Sequence, residues 1–402
     1  AAFLRAGLTE GRDFTAIASE RVARPLNWVE RVARGGAGKG WTTVMALRLV
    51  PYLYFEHLVW RAFRSRLRSG EFDLVHRLTP LSPTLPSIVA SRCDRCGVPF
   101  VIGPLNGGLP WPAAFDAERR KEREWLSYLR SAYRLAPGYR ATRERASAIV
   151  VASVTTAEQM PARYAGKVVY IPENGIDPER FPDVDDAPPN GDGRGRPLRV
   201  VFLGRLVPYK GPDMLLEAAA GYIKEGRVDL TVIGDGPLRG ALEKRTADLG
   251  LGERVVFTGW LPHGEVHDYL QRLDVLGFPS VREFGGAAPL EAMAMGMVPI
   301  VIDYGGPAEI VSDSSGFRVP LGSRAQTIER VAEALGVLVH DPGRLAPMRR
   351  AAIRRARTRF TWSAKAKQVR EVYDWVLGRR AEKPDFGMPL HESEAVAEPR
   401  AL

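Results

Sequence analysis

Two carboxylates flank a glycine turn in the second half of the chain. Glu283 precedes Gly285 and Gly286, and Glu291 follows Pro289. Because proline fits the first turn of a helix, a helix should begin at Pro289. Backbone N–H groups of the glycines, beside a helix N-terminus, would form an anion site. One carboxylate can then face a sugar while the other reaches a ribose diol, although the helix dipole alone also favours glutamate in a first turn.

Two cations lie in another loop, directly after an apolar run. Arg205 and Lys210 follow Gly204 and would project positive charge from the end of a strand. Arginine can bind a phosphate in bidentate fashion and lysine acts as a point charge, so the pair suits a diphosphate. Two ordinary surface cations are the alternative interpretation.

A third loop, Gly234-Asp235-Gly236, also follows an apolar run and precedes a helical pattern. A dinucleotide fingerprint requires that context, but the next glycine, Gly240, comes one position late for it. The loop therefore predicts a tight turn near a nucleotide, or a turn whose glycines only permit positive φ. A similar strand–glycine–helix pattern at 304–309 could complete the wall of the same pocket.

Apolar runs alternate with helical patterns through residues 198–302, which predicts βαβ units and a parallel sheet with helices on both faces. Such sheets bind ligands at the carboxyl ends of their strands, where the three loops should meet. The predicted strands are Leu198–Gly204, Asp229–Gly234, Arg254–Phe257, Val275–Pro279 and Met297–Ile302, with helices over Asp213–Ala220 and Leu238–Leu249 and from Pro289.

The first half shows the same alternation more weakly. Strands are predicted over Phe72–His76, Pro99–Gly103, Ala148–Ala152 and Lys167–Ile171, and helices over Val50–Leu67, Asp116–Arg130 and Arg140–Arg145. A chain of 402 residues is too long for one ordinary core. We predict an N-terminal domain over 1–180, a linker over 181–197, a C-terminal domain over 198–360, a helix over 361–380 that returns to the first domain, and a disordered tail over 381–402.

Composition limits the class of protein. There is no run of eighteen apolar residues, and the pattern of residues 1–5 does not predict a cleavable secretory signal. The two cysteines, Cys93 and Cys96, exclude a disulfide scaffold and supply half a zinc site; two reduced thiols are expected, with a redox pair as the alternative.

The net charge of +10 is concentrated in residues 1–196, with about 29 Lys and Arg against about 21 Asp and Glu. This suits an anionic partner or a solvated arginine-rich surface; no nucleic-acid-binding module accompanies it, so no nucleic-acid partner is expected.

Over about residues 72–375 the chain resembles the family 4 glycosyltransferases, which have the GT-B fold. The most specific feature is the Glu-x7-Glu motif from Glu283 to Glu291, and Ile171–Asp177 resembles the interdomain hinge of that family. The resemblance implies an α/β protein with two Rossmann-like parallel-sheet domains facing across a cleft. It also implies retaining, metal-independent transfer from a nucleotide-diphosphate sugar, which is a co-substrate, with no cofactor.

The same resemblance assigns roles to residues. Arg205 and Lys210 would hold the diphosphate, Glu291 the ribose hydroxyls and Glu283 the donor sugar, while the backbone amides of 284–287 would line sugar and phosphate. The implied catalytic residues are Glu283, Arg205 and Lys210, and the implied donor-binding residues are Gly204, Gly234, Asp235, Gly236, Phe284, Gly285, Gly286, Ala287 and Glu291.

On the first domain, His76, Asn106 and Gly107 are the candidates for contact with the acceptor or the sugar. The family often has a histidine two positions after His76, where this chain has Leu78. The family also opens with a strand, a glycine loop and a helix that residues 1–20 lack, and the Gly-rich segment at 34–42 resembles a P-loop only loosely. We therefore expect a first domain that lacks its opening strand.

We expect the acceptor hydroxyl to attack from the face that the diphosphate leaves, with a phosphate oxygen as base and no covalent nucleophile. Aromatic and arginine residues over Tyr52–Arg68 predict either a helix that contacts anionic lipid or a core helix with a basic outer face. The first suits a glycan or lipid-linked acceptor in cell-envelope or exopolysaccharide synthesis, and a cytoplasmic protein peripheral at the inner face of the cell membrane. The alternatives are a non-catalytic nucleotide-sugar-binding relative, a nucleotide-sugar epimerase or a phosphorylase.

Overall fold

The computed structural model of the protein describes residues 2–19, 49–116, 119, 137–181 and 195–387. Four of the sequence predictions lie wholly or mostly outside these residues: the loop at 34–42, the helix at 116–130, the linker at 181–197 and the tail at 381–402. The described residues form two separate parallel β-sheets with helices packed against them.

The first sheet has four parallel strands in the order β1-β2-β3-β4. The strands are β1 (Val75–Arg77), β2 (Phe100–Leu105), β3 (Ala148–Val151) and β4 (Val168–Tyr170), and the helices of this half are α1 (Ala2–Arg5), α2 (Leu49–Arg68), α3 (Ile88–Asp94), α4 (Tyr139–Arg145) and α5 (Val154–Glu158). All four strands are predicted by the sequence. The sequence predicts that β1 begins at Phe72, but the strand begins at Val75. Phe72 instead packs edge-on against Phe63 of α2.

The second sheet has six parallel strands in the order β10-β9-β8-β5-β6-β7. They are β5 (Leu198–Leu203), β6 (Val228–Ile233), β7 (Val255–Gly259), β8 (Val275–Phe278), β9 (Val298–Ile302) and β10 (Phe317–Val319). Strand order reverses at β5, whose two neighbours are β6 and β8. The loops that follow β5 and β8 therefore diverge to opposite sides of the sheet and leave a crevice between them.

Helices bury both faces of the second sheet, which explains its unbroken apolar strands. Every residue of β8 and β9 is buried, and the rings of Phe202 and Phe278 stack at 6.4 Å between adjacent strands. The helices are α6 (Pro212–Lys224), α7 (Arg239–Asp248), α8 (His263–Leu270), α9 (Ala287–Ala294), α10 (Gly306–Ile310), α11 (Arg324–His340) and α12 (Leu345–Arg359).

Among the differences from the sequence predictions in the second domain, two concern α9 and β10. Helix α9 begins at Ala287, two residues before the predicted start at Pro289. Proline is tolerated there because the first N–H groups of a helix have no partner within it. Strand β10 was not predicted, since it is a three-residue edge strand interrupted by Arg318.

A last helix, α13 (Trp362–Val376), returns the chain to the first sheet. Thr361 caps it by accepting a hydrogen bond from the N–H of Ala364 at 3.1 Å. Its buried residue Val372 packs with Val101 and Val150 of the first sheet. The final helix thus covers a face of the N-terminal sheet although it follows the C-terminal domain in sequence.

Helix α2 directs its aromatic side chains inward. Trp60 and Phe63 pack against the core of the first domain, whereas Arg61, Arg64 and Arg68 are exposed. The helix is therefore a core helix with a basic outer face, the second of the two interpretations of its sequence. Within the described part of the chain, no helix combines the length and apolar character needed to cross a membrane.

The two cysteines are free thiols, and Cys93 is buried. Burial raises the pKa of the Cys93 thiol to about 12. Since the thiolate is the reactive form, a raised pKa disfavours a redox role for this pair.

The contact between α13 and the first sheet yields a stability prediction. The Tyr373 hydroxyl donates to Nδ1 of His76 at 2.8 Å, so Tyr373→Phe leaves a largely buried acceptor unpaired. We expect the free energy of unfolding to fall by about 1–3 kcal/mol in urea titrations. Tyr269→Phe, at an exposed tyrosine, is the control and should change little. An equal effect of both substitutions would contradict the prediction.

Candidate active site

The two cations in the loop after β5, Arg205 and Lys210, have different surroundings. Lys210 ends a short 3₁₀ turn, and its Nζ lies 2.8 Å from Oε2 of Glu283 in the loop after β8. Arg205 is exposed and has no ion pair with any residue that the structure describes. The structure therefore joins Lys210 and Glu283 across the crevice and leaves the Arg205 guanidinium open to an anion.

The loop after β6 packs directly on the loop after β5. The N–H of Leu206 donates to the carbonyl of Asp235 at 2.9 Å, and Gly204 donates to Ile233 at 3.0 Å. Gly234 has φ of +135°, and a Cβ at this position would overlap the carbonyl oxygen of Gly204. Gly234 is thus required by close backbone contact. A further role of Gly234, Asp235 and Gly236 in binding the donor stays a prediction.

The glycine turn leads into α9. Gly286 is the N-cap residue of this helix, in the left-handed conformation with φ of +69°. The amide groups of Gly286 and Ala287 therefore lie at the N-terminal end of α9, which favours negative charge. Glu291 is half-buried in the second turn of the helix. Phe284 and Gly285 lie between Glu283 and this helix start.

The loop after β9 forms an adjoining wall. The N–H of Gly306 donates to the carbonyl of Glu283 at 3.1 Å. The Tyr304 hydroxyl donates to the carbonyl of Pro110 at 2.8 Å, which links this loop to the first domain. The expected proximity of the 304–309 segment to the Glu283 loop is therefore present.

Asn106 of the first domain reaches the same place. Its Nδ2 donates to the carbonyl of Phe284 at 3.3 Å, and the residue is 7% exposed. Gly107 follows it, but the carbonyl of Gly107 accepts a hydrogen bond from the Thr156 hydroxyl within the first domain. Of these two candidates, Asn106 is the one with a direct bond to the glycine-turn loop.

His76 is not part of this cluster. Its Nε2 donates to the carbonyl of Gly103 at 2.9 Å, and its Nδ1 accepts from the Tyr373 hydroxyl. Burial lowers the pKa of His76 to about 4, so the ring is neutral at pH 7. Because both ring nitrogens are engaged, the geometry does not support the prediction that His76 contacts an acceptor or sugar, and the residue instead anchors α13.

The sequence analysis missed Glu173 and Asn174. Both lie in the crossover between β4 and the second domain, and a Cβ on Gly285 would lie 2.7 Å from Oε1 of Glu173 and closer still to Nδ2 of Asn174. The signal was present in the segment Ile171–Asp177, for which the sequence analysis noted only the resemblance to an interdomain hinge. Hinge residues between two facing domains lie beside any site in the cleft.

A further carboxyl, Glu309 of α10, bridges the two domains. It accepts a hydrogen bond from the N–H of Val154 at 2.9 Å and another from the Tyr170 hydroxyl. Burial raises the pKa of Glu309 to about 7, against the opposite influence of these two hydrogen bonds. Among the described residues, no group of three His, Cys, Asp or Glu side chains is arranged to hold a metal ion.

Comparisons with known proteins agree with this architecture. HepE of Anabaena, solved in complex with UDP, aligns with a TM-score of 0.57 and 19% identity over 79% of this chain and 82% of that one. The two parallel-sheet domains and the crevice between them define a GT-B protein, as the sequence predicted. Residues 186–359 also match the family model described as glycosyl transferases group 1.

Curated relatives match mainly in the second half. A 2-deoxystreptamine glucosyltransferase of Streptomyces kanamyceticus is 31% identical over 51% of this chain and 53% of its own length. A GDP-mannose-dependent α-(1-6)-phosphatidylinositol monomannoside mannosyltransferase of Mycolicibacterium smegmatis is 33% identical over 51% of this chain and 55% of its own length. The chain thus spans about half the length of these curated relatives.

The raised pKa of Glu309 predicts a pH-dependent stability. A carboxyl whose folded-state pKa is about 7, against 4.5 when unfolded, contributes stability that is present below pH 4.5 and is lost as pH rises toward 7. Relative to Glu309→Gln, the wild type should therefore lose up to about 3 kcal/mol over this window. Urea titrations of both proteins from pH 4.5 to 8 measure the difference. A pH-independent difference would contradict the shift.

Proposed function

We propose that the protein is a glycosyltransferase that transfers a sugar from a nucleotide-diphosphate sugar. The observation that carries the proposal is the pairing of Lys210 with Glu283 at the switch point, next to the exposed Arg205 and the start of α9. Two cations and helix-end amides suit a diphosphate, and a carboxylate beside them suits sugar hydroxyls. The group 1 family match over the second domain supports the same reaction class.

The proposed chemistry relies on stabilising the leaving group. As the bond from the anomeric carbon to the diphosphate breaks, negative charge grows on the phosphate oxygens, and Arg205, Lys210 and the first amides of α9 stabilise it. The acceptor hydroxyl attacks on the same face and gives its proton to a phosphate oxygen, which retains the anomeric configuration. We propose that Glu283, which is paired with Lys210 in the absence of a ligand, binds the sugar and does not act as a covalent nucleophile. A glycosyl-enzyme trapped on Glu283 would contradict this mechanism.

We propose no cofactor and no metal for this reaction, and Glu291 as the ligand of the ribose hydroxyls. The proposed donor-binding residues are the nine that the family resemblance implies, from Gly204 to Glu291. The competing function is a nucleotide-sugar-binding protein without transferase activity, which would bind the donor but yield no product with any acceptor.

Calorimetry with UDP and GDP tests the donor site. We expect the wild type to bind one of them at micromolar concentration and Glu291→Ala to bind at least about tenfold more weakly, because hydrogen bonds to a charged group contribute about 1.5–3 kcal/mol each. Glu253→Ala, at an exposed carboxyl of the same domain, is the matched control and should bind like the wild type. Absence of binding of either nucleotide to the wild type would refute the proposal.

The acceptor is proposed to be a glycan or a lipid-linked molecule used in cell-envelope or exopolysaccharide synthesis, reached by a cytoplasmic protein at the inner face of the membrane. Although the aromatic side chains of α2 pack against the core, the exposed Arg61, Arg64 and Arg68 on its outer face support an electrostatic contact with an anionic surface. The mannosyltransferase relative acts, by its name, on a phosphatidylinositol mannoside. No nucleic-acid partner is proposed.

Vesicle sedimentation tests the membrane contact. We expect pelleting with vesicles that contain phosphatidylglycerol and not with pure phosphatidylcholine, because each arginine near an anionic surface contributes about 1 kcal/mol. The triple substitution of Arg61, Arg64 and Arg68 by Ala should abolish it, whereas Arg350→Ala with Arg354→Ala, on the exposed side of α12, should not. Pelleting that is independent of anionic lipid would count against the contact.

A further inference from the structure

The crossover between the domains carries polar side chains that the proposed donor site does not use. After β4 the chain passes through Glu173 and Asn174, and the N–H of Ile176 then bonds to the carbonyl of Phe360 at 2.7 Å. This bond holds the end of the crossover in place. The side chains of Glu173 and Asn174 rest against Gly285, where a Cβ would collide with both. Because Gly285 has no side chain, the crossover can approach the glycine turn close to Glu283, the proposed ligand of the sugar.

Asn106 joins the same contact from the first domain. Its amide donates to the carbonyl of Phe284 at 3.3 Å and lies close enough to the Glu173 carboxyl to lower the pKa of that group. Three separate parts of the chain thus meet beside the loop that contains Glu283. They are the loop after β2, the crossover after β4 and the loop after β8.

This junction leaves two oxygen atoms without a hydrogen bond. Oε2 of Glu173 and Oδ1 of Asn106 are both inaccessible to solvent, and neither has a partner among the residues that the structure describes. Buried acceptors of this kind are nearly always paired in folded proteins, and an unpaired one costs about 1–3 kcal/mol or more for a charged group. Two such oxygens on neighbouring side chains indicate a place for an external hydrogen-bond donor.

We propose that Glu173 and Asn106 form a subsite that recognises a hydroxyl group of the donor sugar through these two oxygens. The inference rests on the proposed function and adds a specificity-determining residue, Glu173, to it. The location of this subsite points to the sugar, and not to the nucleoside or the diphosphate, as the part of the donor that it contacts. Both side chains contact the Phe284–Gly285 segment, which adjoins Glu283, and within the described part of the chain neither forms a hydrogen bond or ion pair with Arg205 or Lys210.

The electrostatics of the subsite agree with this role. Burial, and then the negative charge of Glu283, raise the pKa of Glu173, while the bond from Asn106 opposes the rise. The charged form of Glu173, which lies near the Glu283 carboxylate, is stabilised by a hydrogen-bond donor. The donor must not add negative charge to the site. A sugar hydroxyl supplies such a donor, whereas a phosphate would be repelled.

Paired ligands test the subsite. Calorimetry would compare UDP with UDP-glucose, and GDP with GDP-mannose, for the wild type, Glu173→Gln, Glu173→Ala and Asn106→Ala. We expect each variant to bind the nucleoside diphosphate within about twofold of the wild type and the corresponding sugar nucleotide about tenfold or more less tightly. Glu179→Gln, an exposed glutamate further along the crossover, is the matched control and should bind both ligands normally.

The outcomes separate this inference from the proposed function. Wild-type binding of a nucleotide, with no selective loss for the sugar nucleotide in any variant, would overturn the subsite and leave the donor site standing. An equal loss for both ligands would also overturn it, since it would show that the junction only braces the loop. Failure of the wild type to bind any nucleotide would refute the proposed function and the subsite with it. Thermal melts show which variants remain folded. If the Glu173 variants do not fold, Asn106→Ala provides the test.

Discussion

The reversal of strand order at β5 is the constraint on which the site depends. Because β6 lies on one side of β5 and β8 on the other, the loops after β5 and β8 leave the sheet in opposite directions and face each other across a crevice. That geometry brings Lys210 within 2.8 Å of Glu283, although the two are separated by 73 positions in sequence. The loop after β6 then supports the arrangement, since Gly234 lies directly on the carbonyl of Gly204. Any side chain at Gly234 would push these loops apart.

Electrostatic balance at the crevice follows from this arrangement. The ion pair of Lys210 and Glu283 is partly solvated, so it contributes little to stability by itself. A diphosphate would compete with Glu283 for Lys210 and would add the open guanidinium of Arg205 and the amides at the start of α9. The carboxylate released from Lys210 would then be available to sugar hydroxyls. The same charges can therefore serve the unliganded and the liganded protein without a buried, unpaired ion in either.

Polar contacts join the two domains. Glu309 bonds to Val154 and Tyr170, and Tyr304 bonds to the carbonyl of Pro110. Asn106 adds a bond to the carbonyl of Phe284 at the glycine turn itself. Burial raises the pKa of Glu309 to about 7, so this contact between the domains depends on pH. The crossover through Glu173 lies beside the site, so a substitution there can affect binding as well as the hinge.

Much of the fold and part of the site were determined by the sequence alone. Unbroken apolar strands followed by glycine loops were sufficient to predict nine of the ten described strands, because a parallel sheet covered on both faces leaves this pattern. The Glu283 and Lys210 loops were predictable for the same reason, since each directly follows such a strand. Only the tertiary structure decided which contacts His76, Asn106 and Glu173 make. Their environments are set by α13, by the glycine turn and by the crossover, which are distant in sequence, and hydrogen bonds between distant segments leave no local pattern in the chain.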